Sequence, residues 1–499
     1  MLGFFKQQEK TSSSKKRSST DSITLAYEHG CDACPLSSRK GNKTRQMFPS
    51  GSDHPLLYNL GEAPGEEEDI RGEPFVGKSG RLLREKLSEV FSKKIPMRFN
   101  NVINCRPPDN RVPTDIEIAC CKQRLETDIE NSRPFIISGY GGTVLRALIN
   151  TDGIFDWRGR IMPIRIGKHT CWFAPQFHPA FILRNSLGDY EDPVEKKNRM
   201  FLDVFLQDMR NVARVIESEV PAVVENPDNY YDGIEIILGD RIEDNLERLK
   251  TRLQYFKKQN KVFIDFETDG EPDGIKPYNK NATLLSCAIS NGVKTIVFPV
   301  EHPRAWGNRV RIQKQILGEI EDVIREVPIK GAHNVKFEMS WILSRLGEDC
   351  LYQGKWEDTQ NKAYTLDERS GGRKKGEGLL SLAMTSTVWL GFNVKKLSNL
   401  NMKHLTDEPI DKLLKYNALD AKYEFILDEN MDVGFPKELR WIYRHGNRIA
   451  LSLAMIENKG IPVNVNMAKR IGRRLDKEVK QVELEVKKLD EVTKFEQQF

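Results

Sequence analysis

The sequence contains no apolar run that approaches the roughly 18–20 residues that a helix needs to cross a bilayer. Its first segment, MLGFFKQQEKTSSSKKRSSTDS, also lacks the long apolar core and the small-residue cleavage site of a secretory signal. We therefore interpret residues 1–24 as a disordered, weakly basic tail and expect a soluble protein with no membrane partner.

A strong charge of one sign is absent as well. The net charge is +5, although charged residues make up 30% of the chain. This balance is compatible with nucleic-acid binding, and equally with an ordinary solvated surface. The 499 residues and the 39% apolar content predict about two to four domains with ordinary cores.

Cysteine is scarce, with eight residues in the chain, and it is unevenly placed. Cys31, Cys34, Cys105, Cys120 and Cys121 all fall in the first quarter. In a reducing compartment, a clustered Cys-x-x-Cys pair indicates metal or redox chemistry more than disulfides. Four thiolates would bind either an iron–sulfur cluster or a structural zinc, and spacing alone favours neither.

Two α/β units are predicted along the chain. Residues 25–212 alternate strand-like and helix-like runs, and residues 213–240 have the composition of a linker. The second unit spans 241–432 and includes a hairpin in which Asn291-Gly292 forms a type I′ turn. Residues 433–499 predict two helices, and the second carries a narrow apolar stripe that needs a partner surface.

Several acidic residues of the second unit fit a metal site. Asp265 and Glu267 share one face of a predicted strand, while Tyr416 and Asp420 share one face of a predicted helix. Neighbouring carboxylates repel each other, and a divalent cation relieves that repulsion. With Glu338, these residues would form an acidic pocket suited to two hard cations and a phosphodiester.

Asp265/Glu267, the segment from Asn334 to Glu338, and Tyr416-x-x-x-Asp420 resemble the three motifs of DEDDy-type 3′–5′ exonucleases. They are most similar to the proofreading domain of family A DNA polymerases, over about residues 240–430. The resemblance implies an RNase H-like fold with two Mg²⁺ (or Mn²⁺) ions.

The same resemblance assigns roles. Asp265 bridges both metals, Glu267 and Asp420 hold the metal nearest the attacking water, Tyr416 orients that water, and Glu338 supports the second metal. The family usually has Asp where this chain has Glu338. The extra methylene moves the carboxylate outward by about one C–C bond, and such a displacement lowers the rate.

The segment GEAPGEEEDIRGEPFVGKSG, residues 61–80, follows a predicted strand, and open α/β sheets bind ligands at that end. It resembles motif A of the family 4 uracil-DNA glycosylases, and Phe177-His178-Pro179-Ala180 resembles their second motif. The resemblance covers about residues 25–210 and implies a glycosylase-like α/β/α domain. It also implies a [4Fe–4S] cluster, with Zn²⁺ as the alternative, held by Cys31, Cys34, Cys105 and Cys121.

Glycosylases take the target base out of the duplex and stack it on an aromatic ring. The resemblance implies that Phe75 is the stacking residue and that Asn101 reads the uracil edge. It places Glu62, Glu68 and His178 at positions associated with cleavage. His178 would stabilise the charge that develops on the departing uracil.

A glycosylase-like domain followed by a proofreading-type exonuclease resembles the first part of some bacteriophage family A DNA polymerases. Residues 433–499 resemble the start of the polymerase domain, without palm and fingers. This implies a replication protein acting on single-stranded 3′ ends and primer–template DNA in the cytoplasm of an infected bacterial host. The expected protein partner is a polymerase-bearing chain or a missing C-terminal half. The alternative is a non-catalytic, uracil-sensing DNA-binding module that positions a separate polymerase half.

Overall fold

The computed structural model describes residues 19–37, 46–91, 93–186, 193–224, 229–239, 241–270, 276–279, 281–306, 309–368, 380–397, 400, 404–460, 462 and 464–486. Most of the predicted tail, and the chain from residue 487 onward, lie outside these ranges. Within them, no helix combines the length and the apolar character needed to span a membrane.

The first unit is built on a six-stranded sheet with a parallel centre. Its strands are β1 (Ser50–Gly51), β2 (Leu57–Gly61), β3 (Met97–Asn101), β4 (Ile136–Tyr140), β5 (Met162–Ile166) and β6 (His169–Gln176). Their order is β1-β3-β2-β4-β6-β5, with β1 and β5 antiparallel at the two edges. Every residue of β2 and β4 is buried, as expected for strands covered on both faces.

Helices cover both faces of this sheet. They are α1 (Ser19–His29), α2 (Glu66–Arg71), α3 (Lys78–Val90), α4 (Asp115–Ser132), α5 (Gly142–Ile149), α6 (Ile154–Trp157), α7 (Pro179–Ser186) and α8 (Pro193–Ser218). Successive strand residues enter different cores: Tyr58 and Ile137 belong to one cluster, whereas Leu57 and Ile136 belong to another. Because side chains alternate along a strand, these are the two faces of the sheet. The predicted α/β/α layering is confirmed.

The second unit also contains a six-stranded sheet. Its strands are β7 (Ile234–Ile236), β8 (Lys261–Asp269), β9 (Thr283–Ser290), β10 (Thr295–Pro299), β11 (Ile329–Ala332) and β12 (Lys355–Asp358). Their order is β12-β11-β8-β9-β10-β7, in which β8, β9 and β10 form an antiparallel meander and β11 and β12 run parallel to β8. This is the strand order of the RNase H-like fold, as predicted.

The remaining helices are α9 (Ile242–Lys257), α10 (Val310–Glu326), α11 (Lys336–Arg345), α12 (Thr359–Leu366), α13 (Leu382–Leu390), α14 (Ile410–Asp432), α15 (Arg440–Lys459) and α16 (Val465–Val486). On α10, Ile312, Ile316, Ile320 and Ile324 recur at four-residue steps and are buried in the core. The stretch predicted as a linker, 213–240, contains the end of α8 and the strand β7, and its residues 225–228 and 240 are not described.

The predicted hairpin is present, but its turn differs from the prediction. Ser290 pairs with Thr295, so four residues connect β9 and β10. A type I′ turn needs a positive φ at both central residues, and only Gly292 has one (φ 82). Instead, the Asn291 side-chain oxygen accepts the backbone N–H groups of Val293 (3.2 Å) and Lys294 (2.8 Å). The asparagine side chain therefore closes a longer loop.

The two units are in contact through α13. Met384 and Val388 of this helix pack against the core of the first unit. A Cβ at Gly391, just after the helix, would lie 2.8 Å from the carbonyl oxygen of Pro163 in β5. An ion pair of 2.9 Å between Arg160 and Asp367 adds to this interface. Because Gly391 has φ 82 and no room for a side chain, the close approach requires glycine.

The last described helix, α16, buries none of its residues. Five apolar side chains recur along it at three- and four-residue steps and are 40–56% exposed, namely Ile471, Leu475, Val479, Val482 and Val486. The predicted apolar stripe is thus present on a solvent-exposed face of the helix.

Candidate functional site

The first candidate site lies at the end of the central strand β8. Asp265 and Glu267 are two residues apart on this strand, so they project from the same face, as predicted. The pairing register of β8 with β9 shifts between Glu267 and Thr268. Such irregularities bend a strand and redirect side chains beside functional sites.

Helix α14 brings the third motif to this strand. Leu414, Ala418 and Ala421 pack against the sheet, and the two alanines allow the helix to lie close to it. Asn417 fixes the register of the two elements, because its side-chain N–H groups donate to the Asp265 carboxylate (2.5 Å) and to the Asp265 carbonyl oxygen (3.1 Å). Asp420 therefore faces β8.

Three carboxylates meet at this point. Ligand oxygens of Asp265, Glu267 and Asp420 all lie within 4.8 Å of one another. Burial, and then the charge of Asp420, raise the pKa of Asp265 to about 7. Burial, and then Asp265, raise the pKa of Glu267 well above its usual range. Such mutual repulsion is relieved by hard divalent cations, so these three residues could hold a metal.

Glu338 lies in the first turn of α11 and is 2% exposed. Its Oε2 has no hydrogen-bond partner among the described residues, and burial followed by Asp265 raises its pKa. The turn before it is fixed by Asp358, whose carboxylate accepts the backbone N–H groups of Asn334 (3.0 Å) and Val335 (3.2 Å). Glu338 is near Asp265 but outside the set of three clustered carboxylates. An orphaned, buried carboxylate oxygen in this place fits a second cation.

Lys395 belongs to this site and was not predicted. It comes from the 3-10 turn Val394–Leu397, and its ammonium group donates hydrogen bonds to Asp420 and to the Tyr416 hydroxyl (2.5 Å). Although burial lowers the pKa of Lys395, the negative charge of the neighbouring Asp420 raises it well above the usual range. The lysine therefore brings a permanent positive charge to the third motif. A short turn without periodicity gives no sequence signal for it.

Glu424 is a second residue that was missed. It is 2% exposed, its Oε2 has no partner among the described residues, and burial followed by Asp265 raises its pKa. The sequence does contain a signal for Glu424. Tyr416, Asp420 and Glu424 recur at four-residue steps and so lie on one face of α14.

The second candidate site is a cavity of about 580 Å³ in the first unit. It lies at the carboxyl ends of β2 and β3, and its lining includes Glu62, Phe75, Asn101 and His178. Gly61 permits this arrangement, since a Cβ there would lie 2.3 Å from Asn101 Oδ1 and 2.7 Å from Phe75 Cζ. Four residues predicted to act on uracil are therefore brought together.

Phe75 is held in a fixed orientation. Its φ is +60, a region that side chains other than glycine rarely adopt. Its ring packs against Phe99 (centroids 5.7 Å apart) and Tyr140 (6.1 Å). A Cβ at Gly80 would overlap the Phe75 backbone at 2.2 Å. Strained backbone of this kind often accompanies a functional position.

The two predicted acidic residues have different surroundings. The buried Glu68 carboxylate accepts the backbone N–H groups of Gly65 (3.1 Å) and Gly77 (2.9 Å), and so ties together both ends of the loop that carries Phe75. Glu62 faces the cavity, and its Oε2 lies 3.8 Å from where a Cβ of Gly141 would be. The same position is 3.3 Å from His178 Cβ, so Glu62 and His178 face each other across Gly141.

His178 is held as a neutral imidazole. Burial, and then the charge of Arg184, lower its pKa to about 4. Its Nδ1 accepts the backbone N–H of Ala180 at 3.1 Å, which assigns the proton of the neutral ring to Nε2. Nε2 is thus a hydrogen-bond donor at neutral pH.

The predicted thiol ligands surround one another. Cys121 is influenced electrostatically by Cys34, Cys105 and Cys31, and burial raises the pKa of Cys121 to about 12 and that of Cys105 to about 11. No cysteine belongs to any set of three ligand groups within 4.8 Å in the described residues. Four soft thiolates in one place could hold either an iron–sulfur cluster or a zinc ion. Cys120 lies beside them, in contact with Cys34.

Comparison with known proteins gives a match for the first unit. Residues 48–210 match the Uracil DNA glycosylase superfamily. The Type-4 uracil-DNA glycosylase of Thermotoga maritima is 38% identical over 157 residues, which are 31% of this chain and 79% of that enzyme.

A longer and weaker match extends beyond the first unit. The DNA polymerase of Bacillus phage SP01 is 24% identical over 327 residues, 62% of this chain. The match spans 33% of the length of that polymerase. Among solved structures, the catalytic core of RRP6 from Trypanosoma brucei has a TM-score of 0.31 and 12% identity, covering 46% of this chain and 58% of the other.

Proposed function

The chain belongs, through its first unit, to the type-4 uracil-DNA glycosylases, and from this premise we propose that it removes uracil from DNA and, with its second unit, shortens DNA from the 3′ end. The observation that carries the first activity is the neutral His178 facing Glu62 in a cavity that also contains Phe75 and Asn101.

In the proposed glycosylase reaction the target base leaves the helix and enters this cavity. Phe75 stacks on it, and the buried Asn101 pairs with its polar edge. His178 donates its Nε2–H to the oxygen on which negative charge develops as the bond to the sugar breaks. Glu62 stabilises the positive charge of the sugar or directs a water to it, and Glu68 positions the loop that carries Phe75.

The iron–sulfur cluster proposed for Cys31, Cys34, Cys105 and Cys121 has a structural role. When bound, it would link the segment before β1 to the loop after β3 and to α4. The loop with Cys105 follows directly after Asn101, the last residue of β3, and Asn101 lines the uracil cavity. A cluster bound to the four thiols would therefore hold this wall of the cavity in place.

A uracil-containing oligonucleotide tests this activity. The chain should produce alkali-labile sites at uracil but not at thymine. The His178→Ala variant should lose roughly 10²- to 10³-fold in rate, the usual effect of removing one such donor. The matched control is His54→Ala, an exposed histidine of the same unit. Equal rates for the two variants would contradict the assignment of His178.

The exonuclease proposal rests on the clustered oxygens of Asp265, Glu267 and Asp420. Asp265, Glu267 and Asp420 would hold one divalent cation, and Glu338 with Asp265 a second. Such ions, when bound, generate a hydroxide nucleophile and stabilise the leaving 3′ oxygen. The Tyr416 hydroxyl, held by Lys395, orients the attacking water. Asn417 keeps Asp265 in place through its 2.5 Å hydrogen bond.

A 5′-labelled primer–template incubated with Mg²⁺ tests the exonuclease. The wild-type chain should shorten the primer. The Asp265→Ala variant should lose about three orders of magnitude or more, because metal catalysis supplies several kcal/mol. Asp411→Ala is the matched control, since this exposed carboxylate lies in the first turn of α14 and is not one of the clustered carboxylates. Absence of shortening by the wild-type chain would contradict the proposal.

One observation favours a second candidate for this unit, a non-catalytic module that holds DNA for a polymerase. Glu338 replaces the aspartate of the exonuclease motif and stands outside the three clustered carboxylates. A chain of this kind would bind primer–template DNA with the same affinity before and after Asp265→Ala and would never shorten it.

The exposed stripe on α16 supports a polymerase-bearing partner, and the match to the phage DNA polymerase agrees with that assignment. Such a chain from the same source should slow amide exchange across Ile471–Val486 when it is added. Ile471→Lys combined with Val479→Lys should abolish this protection. Unchanged exchange in the wild-type chain would contradict the partner.

A further inference from the structure

The outer part of the uracil cavity is aromatic. Four phenylalanine rings lie together there: Phe155, Phe177, Phe181 and Phe201, with centroids 5.0–6.3 Å apart. Three of them, Phe155, Phe177 and Phe181, line the cavity itself. The cavity thus has the buried Asn101 at its inner end, and its exposed lining combines Phe155 with the polar side chains of Asn110, Arg111 and Arg184.

Phe155 differs from the others in its exposure. It is 54% exposed, whereas Phe177 is 3% exposed. The short helix α6 holds it in place, because Trp157 on the same helix is buried and anchors it. The ring of Phe155 meets Phe177, Phe181 and Phe201 at 66°, 88° and 77°. None of these three rings lies parallel to it, so a parallel stacking position beside Phe155 is not taken by them.

We propose that Phe155 stacks on a nucleobase next to the uracil in single-stranded DNA. This rests on the proposed function of the first unit. The cavity of about 580 Å³ is of the size that accommodates ligands larger than one ring, and Phe155 continues it outward from the stacking residue Phe75. Arg184 lines the same cavity and supplies a positive charge for the phosphate between the two nucleotides.

A nucleobase is the occupant that this surface fits. Each base has an apolar face, and stacking on an aromatic ring is tolerant of its identity. In a duplex the neighbouring base remains paired and stacked, whereas in a single strand it is free to reach Phe155. The proposal therefore predicts a preference for uracil in single-stranded DNA. The contact between Phe155 and the neighbouring base causes this preference, and the contacts with the uracil do not.

A double-mutant cycle, in which Phe155 and the neighbouring nucleobase are removed separately and together, tests this stacking contact. Fluorescently labelled single-stranded oligonucleotides carry one uracil, with either normal bases or a stable abasic residue on each side in turn. Phosphorothioate linkages at the 3′ end prevent shortening. For the wild-type chain, one abasic neighbour should weaken binding and raise KM about tenfold, within the range for one stacked base. The kcat should stay unchanged.

The Phe155→Ala variant should show the same tenfold loss on the normal oligonucleotide and no further loss on the abasic one. Phe155→Trp should restore the affinity. An equal loss on both oligonucleotides, or no loss on either, would overturn the proposal. Binding is measured separately from uracil release: a wild-type chain that shows this binding pattern but releases no uracil would contradict the glycosylase and leave the stacking role supported.

Discussion

The ammonium group of Lys395 is hydrogen-bonded to the carboxylate of Asp420, one of the three carboxylates clustered beside β8. The same ammonium group holds the Tyr416 hydroxyl at 2.5 Å. The positively charged Lys395 thus binds Asp420, a carboxylate that is also a proposed ligand of the metal. Lys395 therefore lowers the negative charge available to the metal while it orients the tyrosine.

Replacing Lys395 with Met should separate these two effects. Without the lysine charge, Mn²⁺ should bind the DNA-free protein more tightly, by on the order of tenfold, because a like charge close to the ion is removed. The rate of primer shortening at saturating metal should nevertheless fall, since Tyr416 loses its donor. Electron paramagnetic resonance measures the Mn²⁺ affinity. Lys396→Met, an exposed neighbour, is the control. Unchanged Mn²⁺ affinity in Lys395→Met would contradict this role.

Neutralising Glu338 should stabilise the metal-free protein. The buried Oε2 of Glu338 has no hydrogen-bond partner among the described residues, and burial raises the pKa of this carboxyl. At neutral pH the folded, metal-free protein must therefore either bury the charge or take up a proton, and both cost free energy. Glu338→Gln should therefore raise Tm in EDTA and reduce primer shortening, whereas Glu338→Asp should retain shortening. Calorimetry and a primer assay measure the two effects. Glu348→Gln, at an exposed position after α11, should change neither. A lower Tm for Glu338→Gln would argue against a metal-binding position.

Uracil release should be independent of His178 protonation at ordinary pH. Burial holds the pKa of His178 at about 4 in the folded chain, against about 6.5 in an unfolded one. The kcat should stay flat from pH 8 to about pH 5 and fall only towards pH 4. The unfolded state binds more protons in that window, so the contribution of His178 to stability decreases as the pH falls from about 6.5 to 4. A step in kcat near pH 6.5 that disappears in His178→Ala would contradict the neutral imidazole.

The two adjacent cysteines of α4 should behave differently. Cys121 is coupled electrostatically to Cys31, Cys34 and Cys105, the other three predicted ligands. Cys121→Ala should therefore abolish the visible absorption and the stoichiometric iron of the protein purified without oxygen, and Cys120→Ala should keep both. Iron and zinc analysis of the wild-type chain distinguishes a cluster from zinc. If Cys120→Ala lost the absorption and the iron while Cys121→Ala kept them, Cys120 would be the fourth ligand and Cys121 the residue beside the cluster.

Residues on regular elements were predictable from the sequence. Asp265 and Glu267 follow from the two-residue period of a strand, and Asp420 from its four-residue spacing to Tyr416. Glu424 continues that spacing and could have been included. Lys395 could not, because a 3-10 turn has no long period and its approach to Asp420 depends on where α13 places it. The turn at Asn291 was predicted wrongly because the side-chain hydrogen bonds of asparagine compete with the backbone turn.

Helix α13 lies against the first unit with Met384 and Val388 and ends just before the turn that carries Lys395. Deleting the first unit would leave these side chains, together with Gly391, without the surface that now positions them. The smallest fragment expected to keep the second site as it stands is therefore the pair of units together. Measurements on the second unit prepared alone would therefore describe a site in which Lys395 has lost part of its structural support.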